Sequence, residues 1–390
     1  MAYVAVTGGR EAIAQADRLT EYYRVKDTHA VLPVEAVEKQ LRLLVDRIMS
    51  EGGLYAPEHA ALALKQAEGD PAEAAFLIRA YRSTLPRNHY SLTVDPADMR
   101  VIRRISSSFR DIPGGQVLGP TYDYTHRMLK FGLREERLDD IRSFVREYLQ
   151  ESLDDFTADA ADGTPFTFRK VADLLREQGL MGAAERAEAE PFDITREKLT
   201  FPAPRSARLQ TLARGETGAM TALAYSSMRG YGAVHPTIGE LRVGYAPVYV
   251  PYPGGGPEDE DAEQGSVYIG EVLLTEVESI NSFTQNKQSG QVQFVPGYGL
   301  CFGQNELKAI SMSILERSLE TEGSAPAQDE EFVLIHIDSV ESNGFVSHLK
   351  LPHYITFQSS LDRIRETQAR FQEQKKEEKA HETEVQPAGV

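Results

Sequence analysis

The chain has 390 residues, 41% apolar and 26% charged, with a formal net charge of -17. This is the composition of a water-soluble globular protein with a sizeable core, and its acidity argues against general nucleic-acid binding, which needs a basic surface. The single cysteine, Cys301, excludes an intrachain disulfide or an iron–sulfur cluster held by this chain alone. No basic-then-apolar leader and no bilayer-length apolar run is evident, so a cytoplasmic protein without membrane contact is expected.

Residues 1–95 read as a helical N-terminal region. Tyr3 to Val6 suggests a short strand, followed by a Thr7–Gly8–Gly9 turn and a helix from Arg10 to about Tyr23. Such a turn can hold a phosphate on free N–H groups, and a plain strand–helix turn fits it too. Val34, Val37, Leu41, Leu44, Val45 and Ile48 form one helical stripe ending at Gly52–Gly53. Pro57 opens a further helix; Asp70, Pro71 and Glu73 predict cap, first-turn proline and capping-box partner of another. The packing stripe of that last helix is expected at Phe76, Leu77, Ala80 and Tyr81.

Residues 96–133 form a glycine-rich loop region. Met99 to Phe109 fits strand or helix and concentrates Arg100, Arg103 and Arg104, with Arg110 just beyond. In DIPGGQVLGPTYDYTHR, residues 111–127, the glycines and prolines rule out a regular element over the first half. The loop brings Asp111, Gly114, Gly115, Tyr122, Asp123, Tyr124, His126 and Arg127 together. It could hold a phosphorylated or sugar-bearing ligand beside a basic patch, or be a long turn with surface hydrogen bonds. Residues 134–190 read as a variable helical insertion, with one stripe at Leu138, Ile141, Phe144, Val145 and Tyr148, another at Val171, Leu174 and Leu175, and a connector from Asp154 to Thr164.

Residues 191–358 read as an α+β region that begins locally basic. A helix from about Gly218 to Met228 runs into a second glycine-set loop carrying Arg229, Tyr231, His235 and Glu240. Val248 to Val250 suggests a strand, residues 254–265 an acidic surface loop, and Val267 to Ile280 either strand-then-helix or one long strand. PGYGLCFG, residues 296–303, reads as a third glycine–aromatic loop, with Asn305 capping a helix that carries Leu307, Ile310, Ile314, Leu315 and Leu319. Residues 359–390 give a helix marked by Leu361, Ile364 and Phe371, then a solvated tail from Gln374. The class expected is α+β: a helical N-terminal region, a mixed sheet and long glycine-rich loops.

Between Pro326 and Tyr354, three acidic residues precede an apolar run and three of the nine histidines, His336, His348 and His353. Phe332 to Asp338 is short and apolar, which predicts a strand with His336 and Asp338 on one face. His348 and His353, five apart around Pro352, lack the spacing of established zinc motifs. Convergence on a metal would need a bend near Leu351 and a third ligand from elsewhere; ordinary polar residues near a strand end is the other reading.

The segments GGREAI, LALKQAEGDPAEAAFLIRAYRSTL, DIPGGQVLGPTYDYTHR, ALAYSSMRGYG, GYGLCFG and PAQDEEFVLIHIDSVESNGFVSHLKLPHY together resemble the I subunit family of the bacterial carbon–phosphorus lyase core complex. The resemblance covers most of the chain and weakens across 134–190 and after Gly254. It implies a transferase that, with the G, H and L subunits, replaces adenine of MgATP by a phosphonate oxygen at ribose C1′, and a nucleosidase when alone. It also implies an interface with the J subunit holding a metal, Zn2+ or similar, between His348, His353 and a cysteine of J, and an assembly that includes the ATPase-like K and L subunits. The chemistry asks for a carboxylate near C1′ and an acid near the purine. Asp111, Asp123, Asp329 and Glu330 are the carboxylate candidates, and His126 and His235 the candidate acids. Arg110, Arg127 and Arg229 are expected to hold phosphates together with Gly114 and Gly115. The three glycine-built turns, starting at Asp111, Arg229 and Gly297, are expected to fold into one cationic pocket.

Overall fold

A computed structural model describes residues 9–159, 168–182, 190–229, 235–252, 265–285 and 290–384. The expected strand at Tyr3–Val6, the Thr7–Gly8 turn, Tyr231 and nearly all of the acidic 254–265 loop lie outside them. In chain order the helices are α1 (Arg10–Val25), α2 (Val34–Gln40), α3 (Arg42–Gly52), α4 (Pro57–Gln66), α5 (Pro71–Thr84), α6 (Leu138–Asp159), α7 (Val171–Glu177), α8 (Arg205–Arg214), α9 (Thr217–Arg229), α10 (Glu306–Ser318), α11 (Glu330–His336), α12 (Ser339–His348) and α13 (Tyr354–Glu384). The strands are β1 (Arg100–Ile105), β2 (Thr237–Pro251), β3 (Ser266–Gln285) and β4 (Val292–Phe302). No described helix is long and apolar enough to cross a membrane. The α+β class is as expected.

The chain divides into two compact units, Leu32–Asp338 and the pair of segments Met1–Val31 and Ser339–Val390. In the larger, β1 to β4 form one antiparallel sheet in sequence order. Leu241, Val243, Val277 and Cys301 pack against Ala309 of α10. The far side of α10 meets α8, α9 and α11 through Met312, Leu315, Leu212, Met220 and Val333. A separate core of Val45, Ile48, Met49, Ala60, Leu64 and Ile78 joins α2 to α5. Asp70 caps α5 by accepting from the N–H groups of Ala72 and Glu73. In the smaller unit α1 buries no residue, and α12 and α13 leave Phe345, Ile355, Phe357 and Phe371 exposed.

Several expectations are corrected. The single helix over 34–52 is two, because Leu41 leaves helical geometry at φ -110°, ψ 33°. The buried face of α5 is Ala74, Ala75 and Ile78, with Leu77 of the expected stripe packed beside it, while Ala80 and Tyr81 are exposed. Phe332 to Asp338 is helical over its first five residues, because Asp329 accepts from the Phe332 N–H and starts a turn that buries Val333 and Leu334. His336 and Asp338 therefore do not share a strand face. Asp154–Asp159 belongs to α6, and Gln374–Glu384 continues α13 instead of forming a tail. Val267 to Ile280 resolves as one long strand.

PGYGLCFG is the largest change: all of it but Gly303, which turns the chain at φ 73°, is the end of β4. A Cβ on Gly299 would lie 3.0 Å from the Ala309 carbonyl carbon, nearer still to its oxygen, and 3.2 Å from Met312 Cβ. Gly297 meets Ser313 of α10 in the same way. These glycines let a helix lie directly on a strand. They do not build a loop.

Candidate active site

The face of the sheet away from α10 is charged. Alternation puts Glu240 and Arg242 of β2 beside Arg104 of β1 and Glu276 and Glu278 of β3, with Arg104 opposite Arg242, Arg242 opposite Glu276, and Glu240 opposite Glu278. All five are buried. The 168–182 segment, which carries α7, covers them: Ala172, Leu175 and Met181 pack on Ile280, and Lys170 reaches in. Arg104 Nε pairs with Glu240 at 2.5 Å, and the Val171 N–H donates to the other Glu240 oxygen at 3.0 Å. Glu276 takes Arg242 on one oxygen, and Lys170 at 2.7 Å and the Tyr298 hydroxyl at 3.1 Å on the other.

Three cations, Arg104, Arg242 and Lys170, thus face three carboxylates, Glu240, Glu276 and Glu278. Burial opposes charge on Glu276, but Arg242 and Lys170 outweigh it and hold the carboxyl below its ordinary value. Glu278 shares the face at 3.7 Å from Arg176. Burial raises its pKa, and the Glu276 and Glu240 charges add to the rise against Lys170 and Arg176. A balanced, covered network of this kind is a foundation; it leaves no surplus positive charge for a triphosphate.

What it supports is the 106–127 loop. Val117 exchanges both backbone hydrogen bonds with Arg104 at 2.7 Å, extending the sheet by one bridge. Arg104 also donates to the carbonyls of Pro113 at 2.5 Å and Gly115 at 3.2 Å. Arg103, buried on the opposite face, donates to the Leu118 carbonyl and pairs with Asp123 at 2.5 Å and Glu306 at 2.9 Å. Gly114 and Gly115 have φ of 80° and 74°, and Gly119 has 60° where a Cβ would strike the Ile102 carbonyl. Ile112 is the loop's one buried apolar anchor. Two buried guanidinium groups, one on each face of the sheet, hold backbone carbonyls of an otherwise irregular loop and fix it.

The predicted residues divide accordingly. Asp111 and Arg110 are side by side on the loop and almost fully exposed, 93% and 94%, at 3.9 Å from each other. His126 and Arg127 are exposed, Arg127 at φ 52° with its guanidinium 3.3 Å from Asp123. Asp123 lies between Arg103 and Arg127, so its charge is spent on holding the loop. His235 is exposed two residues before β2, whose Thr237 hydroxyl lies 2.7 Å from that of Ser108; that places it at the same end of the sheet. Arg229 ends α9 with its guanidinium over the Tyr225 ring. Glu240, expected in a loop, is in the buried stripe.

Asp329 and Glu330 are outside this group. Asp329 is the N-cap of α11, and Glu330 accepts from the Ala203 N–H at 3.1 Å and sits 3.7 Å from Arg208. The third of the three turns expected to build one cationic pocket does not exist. Gly297 is inside a strand, and residues 230–234 are outside the described set.

His348 and His353 are adjacent in the smaller unit, their ring centroids 5.3 Å apart at 55°. Each sets Nδ1 against a backbone carbonyl, His348 to Phe345 and His353 to Leu351 at 2.6 Å. A carbonyl only accepts, so Nδ1 carries the proton and each Nε2 keeps its lone pair for a ligand. Neutral imidazoles in that tautomer are of the type that ligates a divalent metal through Nε2. No set of three potential ligands occurs among the described residues, so a third would come from outside this set.

Reading the sequence missed Arg103, Arg104, Glu276 and Lys170 as organisers of the site. A signal was present in GELRV and TEVES, where charge alternates with apolar residues. Period-2 alternation ordinarily marks a half-solvated strand; here the charged face is covered as well.

The model of one protein family, described as bacterial phosphonate metabolism protein (PhnI), matches residues 2–371. A candidate C-P lyase subunit protein, HtxH, of Stutzerimonas stutzeri is 51% identical over 94% of this chain and 96% of its own. Two proteins named alpha-D-ribose 1-methylphosphonate 5-triphosphate synthase subunit PhnI are also similar. That of Escherichia coli K12 is 46% identical over 94% of this chain and 98% of its own; that of Rhizobium meliloti 1021 is 44% identical over 93% and 94%.

Proposed function

Because the chain belongs to the PhnI family of bacterial phosphonate metabolism proteins, we propose that it is the synthase subunit that exchanges adenine of MgATP for a phosphonate at ribose C1′. The carrying observation is that two relatives at 46% and 44% identity, aligned over nearly their whole length, bear that synthase name. The bond from C1′ to the base nitrogen breaks with its electron pair going to adenine, and a phosphonate oxygen forms the new bond to C1′. The product is α-D-ribose 1-methylphosphonate 5-triphosphate when the phosphonate is methylphosphonate. With water as the nucleophile the same site is a nucleosidase.

The anchored 106–127 loop supplies groups of the required kinds. Asp111, exposed on the loop, is assigned to the positive charge that develops on the ribose, and His126 to protonation of the departing base. Arg110, Arg127 and the backbone around Gly114 and Gly115 take the triphosphate with its Mg2+. Asp123 positions the loop through Arg103. His235 is a second candidate acid at the same end of the sheet, and Arg229 a further phosphate contact.

His348 and His353 are assigned to a divalent metal, zinc or similar, completed by a cysteine of the J subunit. That ion would tie the two chains together. The other partners are the G and H subunits and the ATPase-like K and L subunits, in the cytoplasm.

Free adenine released from MgATP by the purified chain, and by the assembled complex, measures the proposal. Release is expected, and Asp111→Asn and His126→Ala are each expected to lower it about 100-fold. No release above a protein-free control, or release unchanged in both variants, would overturn it.

A further inference from the structure

The 106–127 loop is held by two anchors, one on each face of β1. Its first half, with Asp111, Gly114 and Gly115, rests on Arg104 through the Pro113 and Gly115 carbonyls and the Val117 bridge. Its second half, with Asp123, His126 and Arg127, rests on Arg103 through Asp123 and the Leu118 carbonyl. The second anchor does not end at Arg103. Glu306, the first residue of α10, pairs with the Arg103 guanidinium at 2.9 Å, and Gln304, two residues earlier, reaches the loop directly.

Gln304 is 8% exposed, and every polar atom of its amide is used. The NH2 group donates to the Pro120 carbonyl and to Glu306, both at 3.0 Å, and the oxygen accepts from Arg42 of α3 at 2.5 Å. With both donors and the acceptor oxygen engaged, the amide has one permitted orientation. Its backbone is fixed too. The Gln304 N–H donates to Asp46 of α3 at 3.0 Å, and Gly303, at φ 73°, lies so close that a Cβ would strike Asp46. A side chain locked at both ends, with one proton spent on the main chain of the loop, is built to hold that loop in place.

We propose that Gln304 is a positioning residue for the second half of the loop: backed by Arg42 and Asp46 of α3, it sets where His126 stands relative to Asp111. The inference rests on the function proposed above, in which those two groups act at the two ends of the breaking bond. Gln304 itself touches no reacting atom. Slippage of one half of the loop against the other would separate the acid from the carboxylate, while the phosphate contacts at Arg110, Gly114 and Gly115 stay with Arg104.

The chain contains no tryptophan, so Tyr124→Trp places a single fluorescent reporter in the second half of the loop and Phe109→Trp one beside the first; both positions are exposed. Gln304→Ala is expected to lower the residual anisotropy of the Tyr124→Trp reporter at least twofold and to leave that of the Phe109→Trp reporter unchanged. In adenine release from MgATP, kcat is expected to fall about tenfold with KM changed less than threefold. The decline in rate toward alkaline pH that a protonated imidazole imposes is expected to flatten, whereas a simple loss of folded protein lowers the rate at every pH alike. An unmoved Tyr124→Trp reporter, equal loosening of both reporters, or a lower rate with the pH profile intact would overturn the proposal. If circular dichroism shows Gln304→Ala misfolded, Arg42→Ala, which removes the donor to the Gln304 oxygen from an exposed residue, decides: an unmoved Tyr124→Trp reporter overturns it. The two readings fail separately. A parent chain that releases no adenine sinks the synthase reading while the reporters still judge the anchor, and release indifferent to Gln304→Ala sinks the positioning role alone.

Discussion

Gly299→Ala adds one methyl group where β4 and α10 touch. That carbon would sit 3.0 Å from the Ala309 carbonyl carbon and 3.2 Å from Met312 Cβ, against an ordinary optimum of about 3.5–4.0 Å between carbons. The neighbour on the closest side is helix backbone, which has no rotamer to turn. The Ala309 carbonyl oxygen is nearer still, so relief requires α10 to move by about 1 Å or more, and a gap of that size forfeits about half of each contact it opens. Met312 and Leu315, both essentially without exposed surface, lose contacts at once. Overpacking of this kind costs about 1–3 kcal/mol, and the upper half is expected because Lys308 rides on the same helix. Equilibrium urea unfolding followed by circular dichroism reads it as a lower midpoint with an unchanged slope. A variant within about 0.5 kcal/mol of the parent would refute the claim that these glycines exist for helix-on-strand contact.

Glu276→Gln keeps the shape of the buried stripe but leaves Arg242 and Lys170 facing a neutral amide. A loss of about 3–5 kcal/mol is expected, and chemical denaturation showing under about 1 kcal/mol would contradict the network as described. Lys308 titrates near pH 8 folded and 10.5 unfolded. The unfolded chain therefore binds the extra proton between those values, and stability from this group rises with pH across that window. Its buried charge costs about 3 kcal/mol below pH 8, so Lys308→Met should flatten the rise in parallel denaturation series at pH 7.5 and 10; equal slopes would count against a buried, destabilised ammonium. Zinc bound in equilibrium dialysis is expected to fall at least tenfold in His348→Ala and in His353→Ala, and an unaffected double variant would remove these histidines from any metal site.

Helices whose ends are written in local chemistry were legible in the sequence. Asp70 and Pro71 start α5 and Gly53, at φ 67°, ends α3, because caps and left-handed glycines act within a few residues of themselves. The 111–127 loop was legible for the same reason. The adjacency of His348 and His353 also came close, needing only the bend between two helices.

What failed was whatever depended on a partner far along the chain. Glycines in PGYGLCFG look identical in a turn and beneath a helix; only α10 arriving from residues 306–318 makes them a strand. Arg104 gave no sign that it would hold Pro113 and Gly115 on one side and Glu240 on the other, because its buried charge is tolerated only once a carboxylate 136 residues away closes over it. The sequence by itself set the local helix signals and the residue chemistry of the loop. Which charges are buried, and therefore which ones remain free to meet a ligand, was decided by long-range pairing in the sheet, since the desolvation of a charge is a property of everything packed around it.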